Sequence, residues 1–459
     1  MRIPRLLLHT ICCMSLLLAS SCDNILEPEP VDLLTNDLVL NEPRDVANVE
    51  IGIYNAFRDM AAVTVIAGDF TADMLIFNGT FSQYRELGTK QISAANSSVN
   101  ALYKSVYSTI YIANFMLERL PNVAGVPTAQ RNQAQGTAHF LRGYAYFVAL
   151  NTFGGVPLVL TTDIETNRNI PRATTDEILS QITDDYNTAL GLVPEDASND
   201  GFVGVHAVHA ALARLNLYLG NWSQAASFAT QVMEGDYALE PDFATVVNED
   251  LTSESILDAV YTLADDPGTD GNFGLNNLFV GRREIIPSNE TTFALSSTAS
   301  GERFSSMSFD PSSLNGTDNG WSVAKYGTAD ADNNDVMVFR LAEMYLIRAE
   351  ARAQLDMVTG PNSAQSDINV LRERAAKEGD IITVPAVSKS QMLRLIEDER
   401  RYELAFEGHR WYDLKRTGRL DEVMSAFSPN WRTEYKLWPI PQSEIQNNPA
   451  LVGNQNPGY

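Results

Sequence analysis

Apolar residues recur every three or four positions over much of this chain, and this spacing constrains the fold more than any other feature. Such stripes run through residues 46–57, 99–117, 134–148 and 178–190. Residues spaced in this way share one face of an α-helix, and that face must be covered by another element. The sequence therefore predicts a mainly α-helical protein.

Two stretches have the spacing of a tetratricopeptide-like helix pair, in which small residues let two helices pack closely. The first lies within 207–235, with Gly220 and Trp222 at the turn, and the second begins near 341 and turns at Gly360. Because the two pairs are far apart in sequence, we expect helix pairs stacked on one side rather than a uniform solenoid.

The region from about 236 to 335 differs in kind, since it is rich in Asn, Asp, Ser, Thr and Gly and shows little helical periodicity. Residues 255–261 could form a short strand there, and a shorter insert at 68–98 has the same character. A long irregular segment in a helical protein is typical of a functional surface. We predict one domain, 44–459, with three parts: a helical part at 44–235, the irregular insert at 236–335 and C-terminal helices at 336–459.

The first 21 residues have the features of an export signal: two arginines, an apolar run and small residues before Cys22. This ending resembles a bacterial lipobox, in which the cysteine is acylated. Cys12 and Cys13 lie inside the signal, so cleavage leaves Cys22 without a partner. We predict lipidation at Cys22, with a free cysteine after an ordinary signal peptide as the alternative. The acidic, proline-bearing residues 22–43 are predicted to form a tether.

The net charge of −25 repels phosphate backbones and disfavours nucleic acid as a partner. The sequence contains no Gly-x-Ser-x-Gly, His-Glu-x-x-His or phosphate-loop motif. His206 and His209 have a zinc-compatible spacing but lack nearby further ligands. We therefore predict no metal, no cofactor and no enzymatic activity, although a glycosidase pair is not excluded by counting carboxylates.

Four sequence blocks occur in order along the chain. They are AHFLRGYAYF with FGGVPL at 138–158, LAEMYLIRAEA at 341–351, ERRYELAFEGHRWYDL at 399–414, and the closing segment from LWPIP at 437 to the end. Together they resemble the SusD/RagB family of nutrient-uptake outer-membrane lipoproteins. The resemblance implies a SusD-like fold: several tetratricopeptide-like helix pairs packed with an irregular, ligand-binding half that contains short strands.

The charged residues of these blocks lie on helices whose opposite faces are apolar. Charges placed in this way can pair within and between helices, and such pairs fix geometry. We interpret the blocks as framework rather than as the binding site.

A glycan-binding surface needs exposed aromatic rings with amides or carboxylates beside them. Trp321 lies in the polar stretch 315–321 and is predicted to be a stacking platform, with packing beneath its own loop as the alternative. The resemblance also places part of the ligand face in the insert at 68–98. The weaker candidates from the two inserts are Tyr326, Asn319, Phe273, Phe77, Asn78, Asp73 and Tyr84.

The resemblance implies a lipid-anchored protein on the outside of the outer membrane. It would capture an oligosaccharide or polysaccharide and deliver it, uncleaved, to a SusC-like TonB-dependent transporter that docks on the tetratricopeptide side. The main alternative keeps the fold and makes the cargo a peptide, as in RagB-like members. A hydrolase and a periplasmic scaffold are further alternatives.

Overall fold

The computed structural model describes residues 40–195, 201–261, 274–327, 335–377, 379–380 and 382–459. The predictions made for Cys22 and for Phe273 lie outside the described residues.

The helices follow the apolar stripes of the sequence. In chain order they are α1 (Asp45–Val65), α2 (Ser82–Thr89), α3 (Ser97–Arg119), α4 (Thr128–Phe153), α5 (Ile164–Asn167), α6 (Thr175–Leu190), α7 (Val205–Leu219), α8 (Trp222–Met233), α9 (Phe243–Asn248), α10 (Asn289–Leu295), α11 (Leu341–Gln354), α12 (Ala364–Ala375), α13 (Lys389–Glu403), α14 (Arg410–Arg416), α15 (Leu420–Phe427) and α16 (Gln442–Asn447). Two π-helical turns occur at Ile66–Phe70 and Asn277–Gly281. None of the described helices has the length and hydrophobicity that a membrane span requires.

The long helices pack in a continuous series. Each helix packs against the next in the order α1, α3, α4, α6, α7, α8 and α11. Helix α11 then packs against both α12 and α13. Helix α11 therefore lies directly against α8 although about a hundred residues separate them in sequence. The two predicted helix pairs are α7 with α8 and α11 with α12, and they stack with the irregular insert looped out between them.

Local sequence explains where several of these helices begin and end. Thr174 caps α6 in a reciprocal arrangement: its hydroxyl accepts from the Glu177 backbone amide, and the Glu177 carboxylate accepts from the Thr174 amide. Gly220 ends α7 at a φ of 72°, a backbone conformation that glycine adopts without strain. The stop at Gly220 lets α8 turn back at Trp222 and pack along α7.

The irregular half contains short antiparallel strand pairs. The strands are β1 (Leu75–Phe77), β2 (Ser255–Ala259), β3 (Ile285–Pro287), β4 (Met307–Phe309), β5 (Trp321–Val323) and β6 (Val336–Arg340). They form the pairs β1–β3, β2–β6 and β4–β5, and β5 also contacts β3. The short strand expected near 255 is present, and β1 and β3 join the two polar inserts side by side.

A buried network of ion pairs connects the irregular half to the C-terminal helices. Glu399 and Glu403 of α13 both accept from Arg303, at 2.5 Å each, and all three side chains are fully buried. Arg340 at the end of β6 reaches Glu403 at 2.7 Å and Glu407 at 2.9 Å. The charged residues of the 399–414 block therefore hold the frame together, as the interpretation of the blocks as framework requires.

Candidate functional site

A hairpin made by β4 and β5 carries the leading candidate, Trp321. Phe309 pairs directly with Trp321 across the hairpin, and Met307 pairs with Val323. Side chains alternate between the two faces of a strand, so Phe309 and Trp321 share one face. The residues 310–320 connect the two strands as a loop.

The two rings of this pair differ in burial. Phe309 is 46 % exposed, whereas Trp321 is half-buried. Their ring centroids lie 4.8 Å apart, and Phe304 makes an edge-to-face contact with Trp321 at a centroid distance of 5.2 Å. The Trp321 ring thus packs against Phe304 and remains partly exposed beside Phe309, so its role as a stacking platform stays a prediction. Such a ring pair can stack on an apolar sugar face.

Polar side chains fix the loop beside this aromatic pair. Asp318 accepts two hydrogen bonds from Arg283, at 2.5 and 2.8 Å, and one from Asn78 at 3.0 Å. Arg283 also donates to the backbone carbonyl of Trp321. Partial burial favours the neutral acid, but the hydrogen bonds from Arg283, the Gly320 amide and Asn78, together with the positive charge of Arg283, hold the pKa of Asp318 below its usual value. The loop therefore carries a fixed carboxylate close to the rings.

Asn319 and Asn78 take part in the same arrangement. The Asn319 amide donates to the Pro287 carbonyl at 2.9 Å and to the Asn289 side chain at 3.3 Å. The Asn78 carbonyl accepts from Thr317 at 3.1 Å. The structure thus brings Asn78, Asn319 and Trp321 together, although they come from different inserts.

Phe77 lies next to Asn78 in sequence. It is half-buried on β1, packs against the core, and has the Arg85 guanidinium 5.6 Å from its ring centroid. A nearby pair has the same chemistry, with Arg282 4.3 Å from the ring centroid of Phe81. We name the surface formed by Asn78, Phe309, Thr317, Asn319 and Trp321 the hairpin face.

Three of the predicted ligand residues belong to the interior. Asp73 is buried and ion-paired with Arg410 at 2.8 Å. Tyr84 is 1 % exposed, and the fully buried Tyr326 donates its hydroxyl to the Phe406 carbonyl. Their assignment to the ligand surface is corrected accordingly, because these side chains are enclosed by protein.

Sequence reasoning missed three apolar side chains at the hairpin face or near it: Phe293, Phe309 and Leu314, which are 83 %, 46 % and 54 % exposed. Phe293 follows Asn289 by four residues on α10, so both project from one face of that helix, and Asn289 contacts Asn319. Phe309 could have been recognised from the sequence, because the turn-forming Asp-Pro that follows it indicates the end of a strand. A hairpin at this turn places Phe309 opposite Trp321. Nothing in the local sequence marks Phe293 as exposed.

Among the described residues, no cluster of three or more His, Cys, Asp or Glu side chains could hold a metal ion. The hairpin face presents aromatic rings, amides and a hydroxyl, with the Asp318 carboxylate beside them.

Comparison with known proteins identifies the family. One family model, described as the SusD family, matches residues 314–459, and a second, described as starch-binding associating with outer membrane, matches residues 27–219. The chain belongs to the SusD/RagB family. Thr317, Asn319 and Trp321 of the hairpin face lie within the first match and Asn78 lies within the second, whereas Phe309 falls between the two matches.

Full-length relatives of this SusD/RagB member are known. The SusD-like protein P25 of Formosa agariphila is 25 % identical, over 96 % of this chain and 97 % of its own length. The starch-binding protein SusD of Bacteroides thetaiotaomicron is 30 % identical over 166 residues, which cover 32 % of this chain and 27 % of that protein.

Solved structures share the fold. A laminarin-binding SusD-like protein has a TM-score of 0.78 at 24 % identity, covering 91 % of this chain and 100 % of that one. A structure described as a putative sugar-binding protein from Bacteroides vulgatus has a TM-score of 0.74 at 25 % identity, covering 92 % of this chain and 99 % of the other. These similarities confirm the predicted mainly α, SusD-like fold.

Proposed function

We propose that this protein binds an oligosaccharide or polysaccharide at the hairpin face and passes it, uncleaved, to a SusC-like TonB-dependent transporter. The observation that carries the proposal is the Phe309–Trp321 pair, an exposed and a half-exposed ring held side by side on a hairpin. Pyranose rings present C–H groups that pack on such faces. The side-chain oxygens of Asn319 and Asn78 each accept one hydrogen bond within the protein and have a second lone pair for a sugar hydroxyl.

The family supports this assignment. One matching family model is described as starch-binding and associated with the outer membrane, and SusD itself is named a starch-binding protein. Attachment through an acylated Cys22 at the cell surface fits the same role. A lipid anchor with several acyl chains is enough for stable membrane attachment.

The carboxylates of the hairpin loop favour binding without cleavage. A glycosidase needs a carboxylic acid whose pKa is raised so that it stays protonated. At Asp310, hydrogen bonds from Ser312 hold the pKa below its usual value, and the pKa of Asp318 is lowered as well. Both groups are therefore ionised at neutral pH and unsuited to the role of proton donor.

Phe309→Ala is the decisive test, because an exposed ring can be removed with little effect on the core. One aromatic contact contributes about 0.5–1.5 kcal/mol, so the affinity for a bound glycan should fall about 2- to 12-fold. Trp321→Ala should lower it at least as much. The measurement is isothermal titration calorimetry with soluble β-glucan, starch fragments and other oligosaccharides, together with a panel of peptides.

Tyr111→Ala is the matched control, since Tyr111 is an exposed aromatic residue on α3. It should leave affinity unchanged. If Phe309→Ala and Tyr111→Ala both retain wild-type affinity for the glycan, the hairpin face is not the site. New reducing ends after incubation with the glycan would contradict binding without cleavage. Tight binding of peptides alone would favour the RagB-like alternative.

Delivery and anchoring require separate tests in the native host. A Cys22→Ala variant should lose acylation, measured by incorporation of a labelled fatty acid, and should be released from the outer membrane. The wild-type protein should co-purify with a TonB-dependent barrel from detergent-solubilised membranes. A wild-type protein that is not acylated, or that is protected from protease added to intact cells, would contradict surface anchoring.

A further inference from the structure

Two exposed arginines lie beside the hairpin face, at the end occupied by Asn78. Arg282 precedes β3 in the chain, and Arg85 lies on α2. The Arg282 side chain is 46 % exposed, and Arg85 is exposed as well. Both guanidinium groups are therefore accessible to a ligand that approaches from solvent.

Hydrogen bonds join these arginines to the surface assigned to the glycan. The Asn78 side-chain amide donates to the backbone carbonyl of Arg283 at 3.0 Å, and Arg282 directly precedes that residue. Arg85 donates to the Thr80 carbonyl at 3.5 Å, two residues after Asn78. The two arginines thus continue the hairpin face and do not form a separate patch.

An aromatic ring lies against each guanidinium group. The Arg282 Cζ is 4.3 Å from the ring centroid of Phe81, and the Arg85 Cζ is 5.6 Å from that of Phe77. A cation is attracted to the face of an aromatic ring by the quadrupole of the ring. This attraction restricts the motion of both side chains but leaves their positive charges in place.

Among the described residues, no carboxylate forms a hydrogen bond with either arginine. Arg282 Nε lies 3.6 Å from Glu284 Oε1, which is beyond hydrogen-bond distance. The Glu284 carboxylate is buried and already accepts from the backbone amides of Thr80 and Phe81, at 2.7 and 2.9 Å. One carboxylate faces two cations, so the group formed by Arg85, Arg282 and Glu284 has a net positive charge.

Other exposed carboxylates of this surface lie away from the two arginines. Strand β3 separates Arg282, which precedes it, from Glu290, which follows it on α10. The Asp310 amide donates to the Gly320 carbonyl, so the hairpin pairing continues past Phe309 and the Asp310 side chain projects to the opposite face.

The overall charge of the chain, −25, repels anions at long range. Physiological salt screens that repulsion beyond about 8 Å. The charge close to the ligand therefore decides which glycans are attracted, and beside Asn78 that charge is positive. Such a surface favours a glycan that carries negative charge.

We propose that the hairpin face, together with Arg85 and Arg282, binds a polysaccharide whose sugars carry anionic oxygens, as uronic acid carboxylates or as sulfate esters. We name the two residues the arginine edge. The sugar rings pack on Phe309 and Trp321, and the anionic group accepts hydrogen bonds from the arginine edge. This inference rests on the function proposed for the hairpin face and adds the chemical class of its ligand.

The test is calorimetric titration of the purified chain with pairs of glycans that differ only in charge. One pair is oligogalacturonate and its methyl ester, and the other is sulfated and desulfated carrageenan oligosaccharide. We expect the charged member of at least one pair to bind about fivefold more tightly than its neutral partner, a size that exposed ion pairs can supply. The preference should shrink as the salt concentration rises, because the arginines are exposed.

The same titrations distinguish this proposal from the proposed function. If the neutral members bind as tightly as the charged ones and lose affinity in Phe309→Ala, the anionic class is wrong and the hairpin face is still a glycan site. If no glycan binds, charged or neutral, in these pairs or among the β-glucan and starch fragments, the proposed function itself is contradicted.

Variants locate the anionic group. Arg282→Gln removes one charge from the arginine edge and should lower the affinity for the charged glycan about threefold or more, which removes most of its preference over the neutral partner. Arg85→Gln should act in the same direction. Because both residues are exposed, the melting temperatures should stay near that of the wild type.

Arg168→Gln is the matched control, since Arg168 follows α5 in the helical part, is 69 % exposed and makes the same change in net charge. It should leave both affinities unchanged. A loss in Arg168→Gln equal to that in Arg282→Gln would mean that net charge alone is responsible, and it would overturn the assignment to the arginine edge. Unchanged preference for the charged glycan in both Arg282→Gln and Arg85→Gln would overturn it as well.

Discussion

Glu403 lies at the centre of the buried ion network, and its replacement by glutamine is the sharpest test of the frame. Its carboxylate accepts from Arg303 at 2.5 Å, from Arg340 at 2.7 Å and from Arg374 at 2.5 Å. Glutamine keeps the shape of the side chain but removes the charge, and it places an amide N–H₂ against guanidinium donors. The three arginines would then share fewer carboxylates in a site without access to water.

The size of the effect follows from burial. Removing one partner of a buried ion pair costs about 3–5 kcal/mol, because the opposite charge is left uncompensated. The entropy of unfolding is about 2.1 cal/mol/K per residue, hence about 1 kcal/mol/K for a chain of this length. Glu403→Gln should therefore lower the melting temperature by about 3–5 °C.

Differential scanning calorimetry at pH 7 measures the shift, and Glu422→Gln is the matched control. Glu422 also pairs with an arginine, Arg419, but its side chain is 65 % exposed. Exposed pairs contribute little to stability, so this control should melt with the wild type. If Glu403→Gln melts within error of Glu422→Gln, the buried network does not carry the stability assigned to it.

The dependence on pH gives a second check of the same reasoning. Burial alone would raise the pKa of Glu403, but Arg374, Arg303 and Arg340 lower it well below the usual value of 4.5. The stabilisation by the ionised group is therefore present above pH 4.5 and is lost as the pH falls further. The difference in melting temperature between wild type and Glu403→Gln should shrink in acid. A difference that grows below pH 4.5 would refute the assignment of charge.

Other positions give equally specific expectations. Gly68→Ala should prevent soluble folding, because a Cβ there would lie 1.8 Å from the Gly408 carbonyl oxygen, and the yield of soluble protein measures this. Gly52→Ala on α1 meets nothing within 4 Å and should stabilise by about 0.5–1 kcal/mol, which a denaturant melt against wild type measures. Burial raises the pKa of Asp258 to about 8, so its contribution is lost as pH rises through 8, and Asp258→Asn should melt higher than wild type at pH 9. Thr174→Ala should cost about 1 kcal/mol in chemical denaturation through loss of the α6 cap, and no change in the denaturation midpoint would contradict that role.

Local signals in the sequence predicted the helical frame well. The stripe at 178–190 corresponds to α6, and the turn predicted at Gly360 lies between α11 and α12. These elements depend on residues within one or two turns of each other. The packing of α11 against α8 could be inferred only through the tetratricopeptide-like spacing of both pairs.

The ligand surface was harder to predict, because burial there depends on distant contacts. Trp321 and Tyr326 are five residues apart in the same insert, yet Tyr326 is buried. Its hydroxyl donates to the carbonyl of Phe406, eighty positions away. Asp73 similarly lies next to the candidates Phe77 and Asn78 in sequence but pairs with Arg410. No local pattern distinguishes a polar residue that faces solvent from one that meets a partner of opposite charge in the folded chain.

The anchoring of the hairpin has a consequence for how this protein can diversify. Arg303 precedes β4 and Lys325 follows β5, and both are buried and ion-paired with carboxylates at Glu399, Glu403 and Glu407. Both ends of the hairpin are thus anchored to α13 and the residues that follow it, and the loop of residues 310–320 lies between these two anchors. A loop of different length or composition between these two anchors would lose the hydrogen bonds to Asn78, Arg283 and Pro287 but leave the buried ion pairs intact. The ligand preference proposed for the hairpin face could therefore change during evolution without a change in the core.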